Sequence, residues 1–278
     1  MNAIKIKGLL LLSLLAIASC KKENKKVKNT AATAISTEEY SQKLNEWCEV
    51  QFQDNLKRSP IMQSYLGIKT EDYGKWDDIS SKSKVEDLEL AKQRLSYLKD
   101  SVELSKLDEA TTLSYQLMKQ NQENEIEDFQ YRFYDYPVNQ MHGMQAEIPS
   151  FLISIHRVSD TLDAEAYISR LYGIKPMFAQ LVENLKMREK NGIMLPKFVF
   201  AKVLDDSRNI ITGQPFDESN KESTLLADFK GKVNALEISD EQKKELFFKA
   251  KKWLLEGVKP AYEGLISLLE EQQQRATT

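Results

Sequence analysis

The sequence predicts an all-α fold, a multi-helix array of antiparallel helices behind a disordered N-terminal tether. Three observations predict it. Apolar residues recur three and four apart in segment after segment, the spacing of helices with one buried face. Only 10 glycines and 7 prolines serve 278 residues, too few turn formers for a β-sandwich or barrel. Hydrophobic residues make up 41% and charged residues 29%, the mix of a globular protein with a sizeable core.

The first residues stand apart. Lys5 and Lys7 precede an apolar run from Gly8 to Ala18, too short for a bilayer span, which takes roughly 20 residues. A charged start and a short apolar core are the pattern of a secretory signal. Ile17-Ala18-Ser19-Cys20 resembles a bacterial lipobox. That resemblance makes residues 1–19 a lipoprotein signal peptide and Cys20 the acylated first residue of the mature chain. Acyl chains hold a membrane at about 0.8 kcal/mol per buried methylene. Residues 20–36 then read as a tether, rich in lysine and poor in anything to bury. As a flexible coil it reaches on the order of 20 Å. Its lysines are solvated or touch anionic lipid. The expected location is the bacterial cell envelope, with the membrane as a partner through lipidated Cys20.

Residues 37–278 form the helical domain. A helix starts near Ser36 or Thr37, with Glu38 and Glu39 in its first turn, and carries Tyr40, Leu44, Trp47, Cys48, Phe52 and Leu56. Ser59-Pro60 opens a short helix that Gly67 closes. A polar loop from Lys69 to Ser81 holds Tyr73, Gly74 and Trp76. Leu88, Ala91, Leu95, Leu98 and Val102 mark the next helix. Ala110, Leu113, Leu117 and Met118 mark its antiparallel partner. From Gln120 to Asp128 the chain reads as an exposed face or fraying end, followed by an aromatic cluster from Phe129 to Tyr136.

A long helix capped by Thr161 or Asp163 presents Tyr167, Ile168, Leu171, Phe178, Leu181, Val182 and Leu185 inward. Pro176 predicts a kink or break. Asn191-Gly192 ends it, Leu195-Pro196 starts the next helix, and Thr212 to Pro215 stops that one. Leu225, Phe229, Val233 and Leu236 form another stripe. Ser239 with Gln242 is a capping box. Leu246, Ala250 and Leu254 follow, with a joint at Gly257 and Pro260 before Tyr262, Leu265 and Leu269.

Chemistry is sparse. The formal net charge is −3, and removing residues 1–19 takes away Lys5 and Lys7 to leave −5. No basic excess remains for phosphates, so nucleic acid is excluded as a partner. With Cys20 lipidated, Cys48 has no disulfide mate and reads as an inert thiol on an apolar face. The chain has two histidines, His142 and His156. They lack the His-Glu-x-x-His spacing and stand too far apart to make a three- or four-ligand zinc site. No Gly-x-Ser-x-Gly elbow or phosphate-cradling glycine loop exists. Asn139, Gln140 and His142, between Pro137 and Gly143, read as a shaped loop. Such a loop lines a cleft or bonds its own backbone. Arg170 is expected to pair with a nearby acid.

Several motifs carry a family resemblance. In chain order they are Tyr136-Pro137-Val138-Asn139-Gln140-Met141-His142-Gly143, Ile148-Pro149, Asp163 through Leu171 (Asp-Ala-Glu-Ala-Tyr-Ile-Ser-Arg-Leu) and Gly192-Ile193-Met194-Leu195-Pro196. They resemble the N-terminal half of the bacterial domain-of-unknown-function family 885, over residues 40–270. Val258 to Tyr262 is similar to a further pattern there. The resemblance implies all-helical zinc metallopeptidases of a carboxypeptidase-like kind, with the zinc helix in a C-terminal half that this sequence does not reach. Zinc is then expected only in that missing half. No catalytic or metal residue carries over to this chain. The implied function is the N-terminal helical portion of a lipid-anchored, peptidase-like envelope protein, truncated before the zinc motif and inactive alone. A separate chain bearing the other half is a possible partner, and a peptide is the substrate once the fold is completed. The alternative is a stand-alone, non-enzymatic helical binding module tethered to the envelope.

Overall fold

The computed structural model describes residues 35–277. The expected signal peptide, Cys20 and all but the last two tether residues fall outside the described residues. Within them the protein is all-α. The helices are α1 (Thr37–Arg58), α2 (Pro60–Tyr65), α3 (Ser81–Ser101), α4 (Glu109–Asp128), α5 (Met144–Ser154), α6 (Thr161–Lys190), α7 (Lys197–Ile210), α8 (Thr224–Asn234), α9 (Asp240–Trp253) and α10 (Lys259–Arg275). Among the described residues the only β feature is an isolated bridge between Gln214 and Glu222. No described helix is long and apolar enough to cross a membrane.

Local chemistry fixes the helix starts. The Ser36 hydroxyl accepts from the Glu39 backbone N–H while the Glu39 carboxylate accepts from Ser36 N–H, a reciprocal cap. Ser239 and Gln242 repeat the device at α9. Ser59 caps α2, with Pro60 in its first turn. Gly67 and Gly192 close α2 and α6 at φ 72° and 77°, a region glycine enters without penalty. The cap of α6 is Asp160, one residue before the expected Thr161, because its carboxylate accepts from Asp163 N–H at 2.9 Å.

α6 is the axis of the molecule. α9, α10 and the joint between them pack along it, while α7 closes over α5 and α10 and α8 over α5 and α9. Tyr167, Leu171, Ile174, Phe178 and Leu181 are buried at its centre beside Phe200, Phe229, Tyr262 and Leu265. α3 and α4 form the expected antiparallel hairpin, linked by a 3-10 turn at Leu104–Lys106, and α1 lies against α4. This second region has its own small core of Leu44, Leu98, Leu107 and Tyr115.

Two expectations, the break at Pro176 and the inner face of α4, are corrected. α6 runs unbroken through Pro176. The proline side is exposed, and Ile174, Met177 and Phe178 are buried on the opposite face, so packing offsets one lost backbone bond. The joint expected at Gly257 and Pro260 is present between α9 and α10. A π-turn at Leu254–Val258 absorbs an extra residue and leads straight into α10, with Pro260 in its first turn. On α4, Leu113 and Leu117 face outward at 57% and 58% exposure, and Thr111, Tyr115 and Gln122 are the buried positions. The Gln120–Asp128 stretch continues the helix as a mostly exposed face, the first of its two expected forms.

Candidate functional site

The motif-bearing stretch from Pro137 to Leu171 folds into a loop, α5, and the first third of α6. In the loop, Asn139 is a structural keystone. Its Oδ1 accepts from Met141 and His142 N–H, both at 2.8 Å, and its Nδ2 donates to Tyr136 O at 2.9 Å. Gln145 Nε2 donates to Asn139 O at 2.7 Å. A Cβ at Gly143 would lie 2.0 Å from Gln145 Oε1 and 2.4 Å from Asn139 N, so only glycine fits. Val138 is buried and pins the loop to the main core. The side chains of Gln140 and His142 are exposed.

The second histidine sits elsewhere. His156, at the end of α5, is 1% exposed. Its Nε2 lies 3.0 Å from Asp163 O, and its Nδ1 has no partner. Tyr73 stacks on its ring at 4.6 Å and Tyr167 meets it edge-on. Burial drives its pKa down to about 3, so the ring is neutral at physiological pH. Asp163, one turn into α6, bonds Lys69 Nζ at 2.5 Å and Ser159 N–H at 2.8 Å. Desolvation pushes its carboxyl up, but Lys69 and Ser159 outweigh that and hold it below the usual range.

Arg170 completes this nest. It is fully buried. The expected acid partner is absent: its Nη2 donates to Ser64 Oγ at 2.8 Å and to Pro60 O at 3.4 Å, while Nε and Nη1 have no acceptor. Phe151, Trp76 and Tyr73 surround the guanidinium at 4.5, 5.3 and 5.4 Å from their ring centres. Burial lowers its pKa to about 10. One turn of sequence pointed here: Arg170 occupies a core register position between Tyr167 and Ile174. The partners on the 64–76 segment carried no periodic signal.

The nest is scaffold chemistry, with its polar groups turned inward. The zinc implied by the family resemblance does not fit these residues. His142 is exposed and His156 is buried against a carbonyl. Among the described residues no three His, Cys, Asp or Glu side chains are placed to hold a metal ion. Cys48 is half-buried and its thiol pKa is raised by desolvation, the opposite of an activated nucleophile.

The open space lies around the extended segment 74–83. One cleft of about 500 Å³ lies between this segment, α1, α3 and α4, and is lined by both charge signs, among them Asp78, Arg58 and Glu125. A second, of about 400 Å³, lies between the segment and α6, against Trp76, Tyr172 and Pro176. A third, of about 800 Å³, continues past Tyr172 and Pro176 to Trp253. Trp76 is anchored by its indole N–H donating to Arg170 O at 2.8 Å. The buried nest therefore props up a wall of the second cleft.

The family described as bacterial protein of unknown function, DUF885, matches residues 60–278. Among solved structures, a predicted lipoprotein from Colwellia psychrerythraea matches with a TM-score of 0.65 at 15% sequence identity. The match covers 87% of this chain and 42% of that one, so this chain spans about two-fifths of the solved protein's length. At that identity the likeness speaks for the fold alone. No curated protein matches the sequence.

Proposed function

The chain belongs to the DUF885 family, and on that premise we propose that it is the N-terminal helical portion of a peptidase-like protein held on the bacterial envelope by lipid at Cys20. In this reading residues 37–278 supply shape and peptide-binding walls. The loop bearing Asn139, Gln140 and His142 lines none of the clefts described above; in this reading its exposed Gln140 and His142 side chains border the face that the further portion would cover. Zinc and the reacting groups belong to a further portion of the family fold, in the same protein or on a separate chain. The observation that carries the reading is the partial span: nearly all of this chain superposes on less than half of a solved relative. Incubating residues 21–278 with zinc and a mixed peptide pool, read by mass spectrometry, is expected to give no cleavage above background. Robust zinc-dependent hydrolysis would overturn the division of labour. Anchoring has its own readout: Cys20→Ser is expected to move the protein from the membrane fraction to the soluble fraction.

A stand-alone binding module is the second reading, and one observation favours it. The buried residues of the main core form one contiguous cluster from Val138 to Ala276. A cooperative melt without binding of an apolar dye would support this module. Strong dye binding would support the incomplete fold, because a severed core leaves apolar surface exposed.

A further inference from the structure

The three clefts around residues 74–83 adjoin one another. The first and second share Asp77 and Asp78, and the second and third share Tyr172 and Pro176. Their chemistry differs along the run. At one end Trp76, Tyr172 and Trp253 form an aromatic shelf. Tyr172 stands edge-on to Trp253 at 4.6 Å, and Trp76 is fixed by its bond to Arg170 O. Gly74 and Gly173 let the segment approach α6 closely. A Cβ at Gly173 would meet Trp76 Cδ1 at 2.8 Å.

At the other end the first cleft is net acidic. Five carboxylates (Asp77, Asp78, Glu86, Asp87, Glu125) line it, against Arg58, Lys84 and Arg94. Most of these charges are already committed. Arg58 bonds Asp87 at 2.8 Å and lies 3.7 Å from Glu86. Asp77 accepts from Ser59 Oγ and Ile61 N–H. Arg94 donates to the side-chain amides of Gln51 and Asn55 and not to an acid. Asp78 is exposed and held ionised by Ser80 N–H. Glu125 has neither ion pair nor hydrogen bond among the described residues. Glu125 is exposed, and desolvation and the charge of Asp87 push its pKa up. Two cations of the same cleft, Arg94 and Lys84, pull the other way, and Lys84 is the exposed one. The space is far larger than a bare ion needs, and no metal-ligand cluster is present among the described residues. A cation carried on a longer chain fits better.

We propose that this run of clefts seats an extended peptide, whose lysine or arginine side chain enters the acidic cleft between Asp78 and Glu125 while a neighbouring apolar residue lies on the Trp76–Tyr172 shelf. The proposal rests on the peptidase-like reading, since it names that reading's substrate class. Capture needs no turnover, however, so the two can fail separately. The test uses the full chain in detergent and the fluorescein-labelled peptide Ala-Phe-Ala-Lys-Ala-Phe-Ala, with Gln and Glu versions at the lysine. Anisotropy is expected to show the lysine peptide binding at least about tenfold more tightly than the glutamine one, and the glutamate peptide most weakly. Glu125→Gln is expected to remove most of that preference. Tyr172→Ala is expected to weaken all three peptides alike. Unchanged melting temperatures would show that both variants fold. Equal affinity for the three peptides, no binding up to millimolar peptide, or a preference that survives Glu125→Gln would overturn the proposal. So would calcium chloride binding at Glu125 in place of the lysine peptide.

Discussion

The two cores of this protein are built on different terms. Around α6, large side chains from α5 to α10 meet at positions with almost no exposure: Tyr167, Phe178, Phe200, Phe229 and Tyr262. Around the α3–α4 hairpin, four side chains form the whole buried cluster, with Tyr40, Trp47, Tyr97 and Met118 partly covered beside it. That region keeps Val50, Phe52, Leu113 and Leu117 on its surface and is laced with ion pairs such as Lys99–Glu123 and Lys119–Glu123. Exposed pairs of that kind contribute about 0–1 kcal/mol each. Burial of apolar area therefore concentrates stability on α6, and the hairpin is the part with least to lose on opening. The acidic cleft lies on the hairpin side and the aromatic shelf on the α6 side, so adaptable and rigid walls face the same run of clefts.

The sharpest test of that contrast is one truncation made in both places. Leu181 and Leu98 are both fully buried. Leu181→Ala is expected to cost about 4–5 kcal/mol and Leu98→Ala about 2–3 kcal/mol, because the thinner cluster can collapse around the lost volume. Urea melts that give equal costs would erase the distinction.

The next largest effect is a pH dependence confined to the α6 side. His156 is held neutral, with a folded pKa of about 3 against about 6.5 when unfolded. The unfolded chain binds the extra proton, so this contribution is complete above about pH 6.5 and is lost as pH falls toward 3. At pH 4.5 the loss from this one group should approach 2–3 kcal/mol, on the order of 1.4 kcal/mol per pH unit. His156→Gln should flatten the slope between pH 6.5 and 4.5. A variant as pH-sensitive as the parent would place the effect elsewhere.

A smaller effect is expected at Arg170. Two of its donor groups are buried without partners, and replacing such a charge by an apolar residue of similar length is often neutral or stabilising. Arg170→Met should shift stability by less than about 1 kcal/mol in either direction. A loss above about 2 kcal/mol would mean the three aromatic rings hold the guanidinium more strongly than burial penalises it. Smallest of all is Leu117→Gln, an exposed change that should stay within about 0.5 kcal/mol by thermal melting.

The same contrast governs what was legible in the sequence. On α6 most inward residues from Tyr167 to Leu185 were read from spacing, with Ile174 and Met177 missed, because the helix is covered along its length and the apolar stripe is wide. On α4 the same reading put Leu113 and Leu117 inside. A helix in a thin hairpin buries a narrow seam, and here Thr111, Tyr115 and Gln122 fill it. Caps were legible at Ser36, Ser59 and Ser239 because they are local side-chain chemistry. The break expected at Pro176 is absent because local propensity was overridden by packing. The candidate site was the least legible part. Asn139 and His156 meet their partners within a few residues, but Arg170, Trp76, Asp78 and Glu125 converge from segments far apart in the chain, and no periodicity encodes that.

Gly257 has a bearing on the shelf as well as on the fold. A methyl group there would sit 2.7 Å from Leu171 O, so the clearance between the π-turn and α6 is set by a side chain consisting of one hydrogen. Trp253 lies just before that turn and Tyr172 just after that carbonyl. Any larger residue at 257 would pry the two rings apart without touching either, and a change remote from the peptide path would be felt as a loss of its floor.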